Sequence, residues 1–87
     1  MEVQYHKNFI KNYNSRFGGN VKFKKRYEDR LKLFMSNRRS PILKDHALVG
    51  MKLKLRAFSI TGDIRVVYTI VDDSVFFLDI GTHNQVY

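Results

Sequence analysis

Apolar residues in the first half of the chain recur at helical spacing, and those in the second half alternate. Val3 and Tyr5 alternate with polar neighbours, which predicts a short edge strand. From about His6, the residues Phe9, Ile10, Tyr13 and Phe17 fall on one helical face. Gly18-Gly19 supplies left-handed positions that end a helix, and Asn20 is a good N-cap for the next. The second helix carries Phe23, Tyr27, Leu31 and Phe34 on one stripe, flanked by Val21 and Met35. Lys25–Asp29 and Glu28–Lys32 stand in favourable i,i+4 register on its polar faces. Two helices joined by a tight Gly-Gly turn predict an antiparallel hairpin whose aromatic stripe is core rather than a binding groove. Ser40-Pro41 ends this half.

The second half predicts strands. LKLRAFSI (53–60) alternates in part, Thr61-Gly62-Asp63 forms a turn, and IRVVYTIV (64–71) is β-branched and aromatic. Asp72-Asp73 makes a tight reversal before SVFFLDI (74–80). Strict alternation puts Phe76, Leu78 and Ile80 on one face of this last strand and Val75 and Phe77 on the other, as in a central strand. Asp79 is a carboxylate on an otherwise apolar strand. The expected fold is α+β in the order β-α-α-β-β-β: an antiparallel sheet with an N-terminal helical hairpin on one face. Residues 1–87 make a single domain, since this length leaves no room for a second core.

Composition narrows the class. There is no cysteine, which removes disulfides and thiolate metal sites and fits a reducing cytoplasm. No apolar run approaches the ~20 residues of a membrane span; a soluble intracellular protein is expected. The net charge of +8 is unevenly spread. Residues 1–39 hold eleven Lys/Arg against three Asp/Glu, whereas residues 40–87 hold five of each. All the excess positive charge thus sits on the helical half, which points to a polyanionic partner.

The candidate chemistry lies in the second half. No phosphate-cradling glycine loop, zinc spacing or nucleophile elbow is present. His46, Asp63 and His83, with Arg56 and Arg65 near them in sequence, are the ionisable groups of interest. A meander brings the 61–63 turn and the end of its third strand to one end of the sheet. Such groups could cleave RNA. One takes a proton from the ribose 2′-OH, a second protonates the departing 5′-oxygen, and a cation stabilises the charged phosphorane. Each has a plainer reading beside this one: His46 can cap a turn, Asp63 is a standard turn residue, and Arg65 can pair with Asp79 across strands. Tyr87 can be an apolar plug or can stack on a base.

The stretch from residue 43 to 87 resembles the RelE/ParE toxin superfamily, its YafQ-like branch in particular. The resemblance is carried by KDH-x-L-x-G at 44–50, Arg56, a D-x-x-x-x-Y pattern from Asp63 to Tyr68, and GTH at 81–83 with an aromatic four residues later. It implies the toxin of a type II toxin–antitoxin pair, which enters the ribosomal A site and cuts mRNA there without a metal or other cofactor. By the same resemblance His46, Asp63, His83 and Tyr87 belong to the active site, and Arg65 contacts the scissile phosphate. His83 is then the general acid and either His46 or Asp63 the base. Tyr87, Arg56 and Lys54 are the substrate-binding candidates, and the lysine-rich helices would dock on ribosomal RNA. A cognate antitoxin with acidic segments is the expected protein partner. The chain departs from the branch at Ser59, where the branch has a histidine, and at Asp79, where it has an arginine. Two other readings stay open: a ParE-like toxin that binds DNA gyrase without cutting RNA, and a degenerate toxin that retains only antitoxin binding.

Overall fold

In the computed structural model, which describes residues 1–50 and 54–87, the chain opens with strand β1 (Glu2–Tyr5). Helices α1 (Lys7–Phe17) and α2 (Val21–Ser36) follow, and a 3-10 turn at Pro41–Leu43 leads to β2 (His46–Ala47), β3 (Arg56–Ser59), β4 (Ile64–Val71) and β5 (Ser74–Thr82). A short helix, α3 (His83–Val86), ends the chain. The expected α+β order is present, with two additions: the two-residue β2 and the terminal α3. The expected start of a strand at Leu53 lies outside the described residues.

Local signals explain the helices. His6 caps α1 by accepting the Asn8 amide at its Nδ1, 3.0 Å away. Gly19 takes the left-handed conformation (φ 86°) that the helix turn requires, and the Asn20 side chain accepts the Phe23 amide at 2.9 Å to start α2. The hairpin closes on aromatic rings: Phe17 and Phe23 stack with centroids 4.0 Å apart, and Tyr13 meets Tyr27 edge-on at 5.2 Å. Phe9, Phe23, Tyr27 and Phe34 are buried as the stripe predicts, whereas Ile10, Val21 and Met35 are exposed.

The sheet runs in the order β1-β5-β4-β3-β2. The meander β3-β4-β5 is antiparallel as expected, and Asp72 reverses the chain with φ 54°. β1 runs parallel to β5, so the sheet is mixed rather than wholly antiparallel. A parallel neighbour needs a long crossover, which the helical hairpin begins. The hairpin lies against one sheet face, where Phe34 stacks on Phe58 at 4.5 Å and Phe9 meets Phe77 at 5.6 Å.

Strict alternation fails in β5. Tyr68 pairs with Phe77, but Val67 pairs with Asp79, so Leu78 is an extra residue in a bulge. Val75, Phe77 and Ile80 consequently all join the fully buried core, and Phe76 and Leu78 are only partly buried. The grouping of Ile80 with Phe76 and Leu78 is therefore corrected. Among the described residues no helix is long and apolar enough to cross a membrane.

Two predictions test this core. Phe77→Ala should destabilise the fold by about 3–5 kcal/mol in urea titrations, the usual cost of emptying an aromatic site. Burial raises the hydroxyl pKa of Tyr27, helped by its 3.4 Å bond to Tyr5. The unfolded chain releases that proton above about pH 10 while the folded chain keeps it. This stability is therefore complete below that pH and falls as pH rises through it. Tyr27→Phe should lose less stability than the parent between pH 8.5 and 11; an equal loss contradicts the assignment.

Candidate active site

The register of β5 sets the geometry of the chain end. Beyond the bulge, Ile80 pairs with Val66, Gly81 with Arg65 and Thr82 with Ile64. Thr82 then forms a reciprocal capping box with Gln85, whose Oε1 accepts the Thr82 amide at 2.8 Å. His83 is the first residue of α3, so its ring projects from the strand end next to the β3–β4 turn. That turn is held by Thr61, whose Oγ1 accepts the amides of Asp63 (3.3 Å) and Ile64 (3.1 Å).

Asp63, Arg65 and His83 accordingly line one cleft of about 430 Å³, together with Gly62, Thr82 and Asn84. His83 and Tyr87 meet edge-on at 4.5 Å, and the Arg65 guanidinium lies 5.8 Å from the Tyr87 ring centroid. Burial raises the pKa of the Tyr87 hydroxyl, with the Arg65 charge acting against that rise. The cleft therefore presents a carboxylate, an arginine and an imidazole on a backbone fixed by strand register. A phosphodiester set in it would find a proton acceptor, a cation and a proton donor.

The other expected residues lie apart. His46 is on β2, at the far edge of the sheet, and does not line this cleft. Its Nδ1 sits 2.9 Å from the Lys44 carbonyl. A carbonyl can only accept, so Nδ1 is the donor in this contact. Lys54 is exposed, its carbonyl accepting Thr69 Oγ1 at 2.9 Å, and it too lies outside the cleft. Arg56 belongs to a network that sequence reading missed. Tyr68 donates to Asp45 Oδ1 at 2.6 Å, and Arg56 Nε donates to both Asp45 Oδ1 (3.2 Å) and the Tyr68 hydroxyl (3.3 Å). Arg38 Nη1 reaches the same hydroxyl at 3.3 Å and lies 3.8 Å from Asp45 Oδ2. Burial raises the Tyr68 pKa, reinforced by the Asp45 bond; burial works against the Arg56 charge, but Tyr68 and Asp45 outweigh it and raise its pKa. Asp45, beside His46 in the KDH motif, was the available signal.

Asp79 does not pair with Arg65, correcting that alternative. Asn12 donates to its Oδ1 at 2.7 Å, Arg16 Nη1 lies 3.6 Å away, and the same oxygen accepts the Ile80 amide at 2.8 Å. Arg16 also donates to the Ile80 carbonyl at 2.6 Å. β1 stops beside Phe77, so α1 takes over the flank of β5 from there. A negative charge at residue 79 is what this brace requires. Ser59 is buried at the turn end of β3. Among the described residues, no three His, Cys, Asp or Glu side chains converge to hold a metal ion.

Residues 1–87 match the family model described as "Bacterial toxin of type II toxin-antitoxin system, YafQ". A copper-bound mutant toxin from Helicobacter pylori is 25% identical over 100% of this chain and 99% of its own, with a TM-score of 0.80. The toxin fold of the Escherichia coli DinJ-YafQ complex matches with TM-score 0.80 at 20% identity, covering 99% of this chain and 97% of that one. A YoeB/ParE toxin from Agrobacterium tumefaciens matches with TM-score 0.78 at 14% identity, over 95% and 99% of the two chains. A comparison with curated proteins found no match.

Gly81 offers a test of this architecture. A Cβ there would come within 2.6 Å of both Arg16 Nη1 and Gln85 Oε1, the groups that brace β5 and cap α3. Gly81→Ala should cost about 1–3 kcal/mol of stability and move the NMR resonances of His83 and Tyr87. Unchanged resonances would show that the brace does not control the chain end.

Proposed function

The chain belongs to the YafQ family of bacterial toxins from type II toxin–antitoxin systems, and from that premise we propose that it is an endoribonuclease cutting mRNA in the ribosomal A site. The observation that carries the reading is the cleft shared by Asp63, Arg65 and His83, with Tyr87 beside it. Asp63 takes the proton from a ribose 2′-OH, and the freed oxygen attacks the adjacent phosphorus. The P–O5′ bond breaks as His83 delivers a proton to the leaving oxygen. The products are a 2′,3′-cyclic phosphate and a 5′-hydroxyl. Arg65 balances the charge on the phosphorane, since its planar fork matches two phosphate oxygens. Tyr87 packs beside the base that flanks the cut. Every proton and charge in this scheme is met by a side chain of the chain itself, so no metal is required.

Of the two residues considered as base, the cleft favours Asp63. His46, exposed on the edge strand β2 and outside the cleft lining, fits a contact to substrate or ribosome better than proton abstraction at this cleft. The lysines of α2 supply a salt-sensitive contact to ribosomal RNA. A protein antitoxin is the expected partner, as DinJ is of YafQ in the solved complex, and the ribosomal target implies action in the cytoplasm.

His83→Ala should lower cleavage of ribosome-bound mRNA by about 10²–10⁴-fold, the usual worth of one general acid. Mapping of mRNA ends in expressing cells checks the reaction itself. Absence of new cuts within translated codons, with none produced by adding ribosomes in vitro, overturns the proposal. DNA damage signalling without mRNA cleavage would favour the gyrase-binding alternative.

A further inference from the structure

The cleft holding His83 is the end of a longer cationic path. A second cleft of about 190 Å³ adjoins it at Gly62 and is lined by Arg26 and Arg30 of α2, with Lys44, Ser59 and Thr61. A third, of about 470 Å³, adjoins the second at Lys44 and is lined by Arg38, Arg39, Lys44 and Arg56, with Asp45 the only acid. Lys44 stands at the junction in a left-handed conformation (φ 50°), closing the Pro41–Leu43 turn. The path therefore runs from the end of α2 along the β2–β3 edge to the tip of the β3–β4 hairpin.

The third cleft is built rather than incidental. The Asp45 side chain is only 7% exposed and spends its charge on orienting two arginines. In the described contacts Arg38 uses only Nη1 and Arg56 only Nε, so the other faces of both guanidiniums remain for a ligand. Arg39 is exposed beside them, and Lys44 completes four cations against one carboxylate. Forked donors held in advance match phosphate oxygens, because less side-chain freedom is lost on binding. A peptide would seek apolar anchors. Such anchors lie elsewhere, in the groove of Tyr5, Phe9, Ile10 and Tyr13.

We propose that the Arg38–Arg39–Lys44–Arg56 cleft is a second phosphate seat for the RNA chain whose scissile phosphate meets Arg65, the strand passing Arg26 and Arg30 between the two. The proposal rests on the ribonuclease reading and adds to it a length requirement: RNA must span both seats to bind tightly. Arg38 and Arg56 also hold the buried Asp45, so the variant to use is Arg39→Gln/Lys44→Gln, with Lys7→Gln/Lys11→Gln on α1 as a control of equal charge.

Binding is measured with a 2′-O-methyl RNA of roughly twelve nucleotides, within the usual span of single-strand sites, and with a trinucleotide. The seat variant should bind the long RNA about tenfold more weakly and shallow its log K against log salt slope by about 1.4, two cations at ~0.7 each. Trinucleotide binding should not change, and the control should retain parental affinity for both. Equal weakening in seat variant and control, equal weakening for both RNAs, or parental binding by the seat variant each overturns the seat. Tighter binding of polyglutamate than of RNA through the same residues overturns it in favour of an acidic protein. These binding results do not depend on cleavage. If the parent cuts ribosome-bound mRNA and the seat variant cuts it with unchanged KM, the seat fails and the nuclease reading stands. If the parent makes no cut, the nuclease reading fails on its own.

Discussion

The single extra residue at Leu78 sets what the rest of β5 can do. Before it, Val75 and Phe77 face the helices; after it, Ile80 faces them too, and each later residue is offset by one from strict pairing. A one-residue change of register moves every side chain to the opposite face of a sheet. The bulge thus sets both the core and the position of the candidate site. It seals the core with Ile80, and it sets Gly81 opposite Arg65 and Thr82 opposite Ile64. His83 then leaves the sheet beside the turn that carries Asp63. Without the bulge, a core-facing Ile80 and this chain end would be incompatible.

A bulge weakens pairing locally, and two carboxylates, which together hold three arginines, brace the sheet. Asp79, directly after the extra residue, is held by Asn12 and Arg16, and Arg16 also takes the Ile80 carbonyl where β1 has ended. These groups are only about a quarter exposed, so their charge-assisted bonds are stronger than those of an open surface pair. Asp45 does the corresponding work at the other end of the sheet, fixing Arg38 and Arg56 around Tyr68. Acids placed among many bases here act as positioners of arginine. That is why the helical half can be so basic and still present its cations in order.

Much of this was legible in the sequence, and the limits have physical causes. The aromatic helix stripe, the Asn20 cap and the meander follow from local periodicity and turn chemistry, and each is present. Asp63 and His83 could be set at one end of the sheet because consecutive hairpins leave no other option. The bulge was not legible, since VFFLDI is apolar in both parities and gives no sign of where alternation slips. Nor was the partner of Asp79: Arg16 is far away in sequence, and only the packing of α1 on β5 brings them together. The KDH motif groups His46 with the site; it stands on β2, the edge strand paired with β3, and does not line the cleft of Asp63, Arg65 and His83. The parallel pairing of β1 likewise depends on the path of the whole chain, not on EVQY itself.

The proposed reaction turns on protonation of the leaving 5′-oxygen by His83. It is tested most directly with mRNA carrying sulfur in place of the bridging 5′-oxygen at the cleavage site, because a thiolate departs without protonation. The His83→Ala protein should cut this substrate on the ribosome at nearly the parental rate while remaining crippled on the all-oxygen substrate. An equally large defect on both substrates would contradict the role assigned to His83, and with it the purpose assigned to the bulge and its brace.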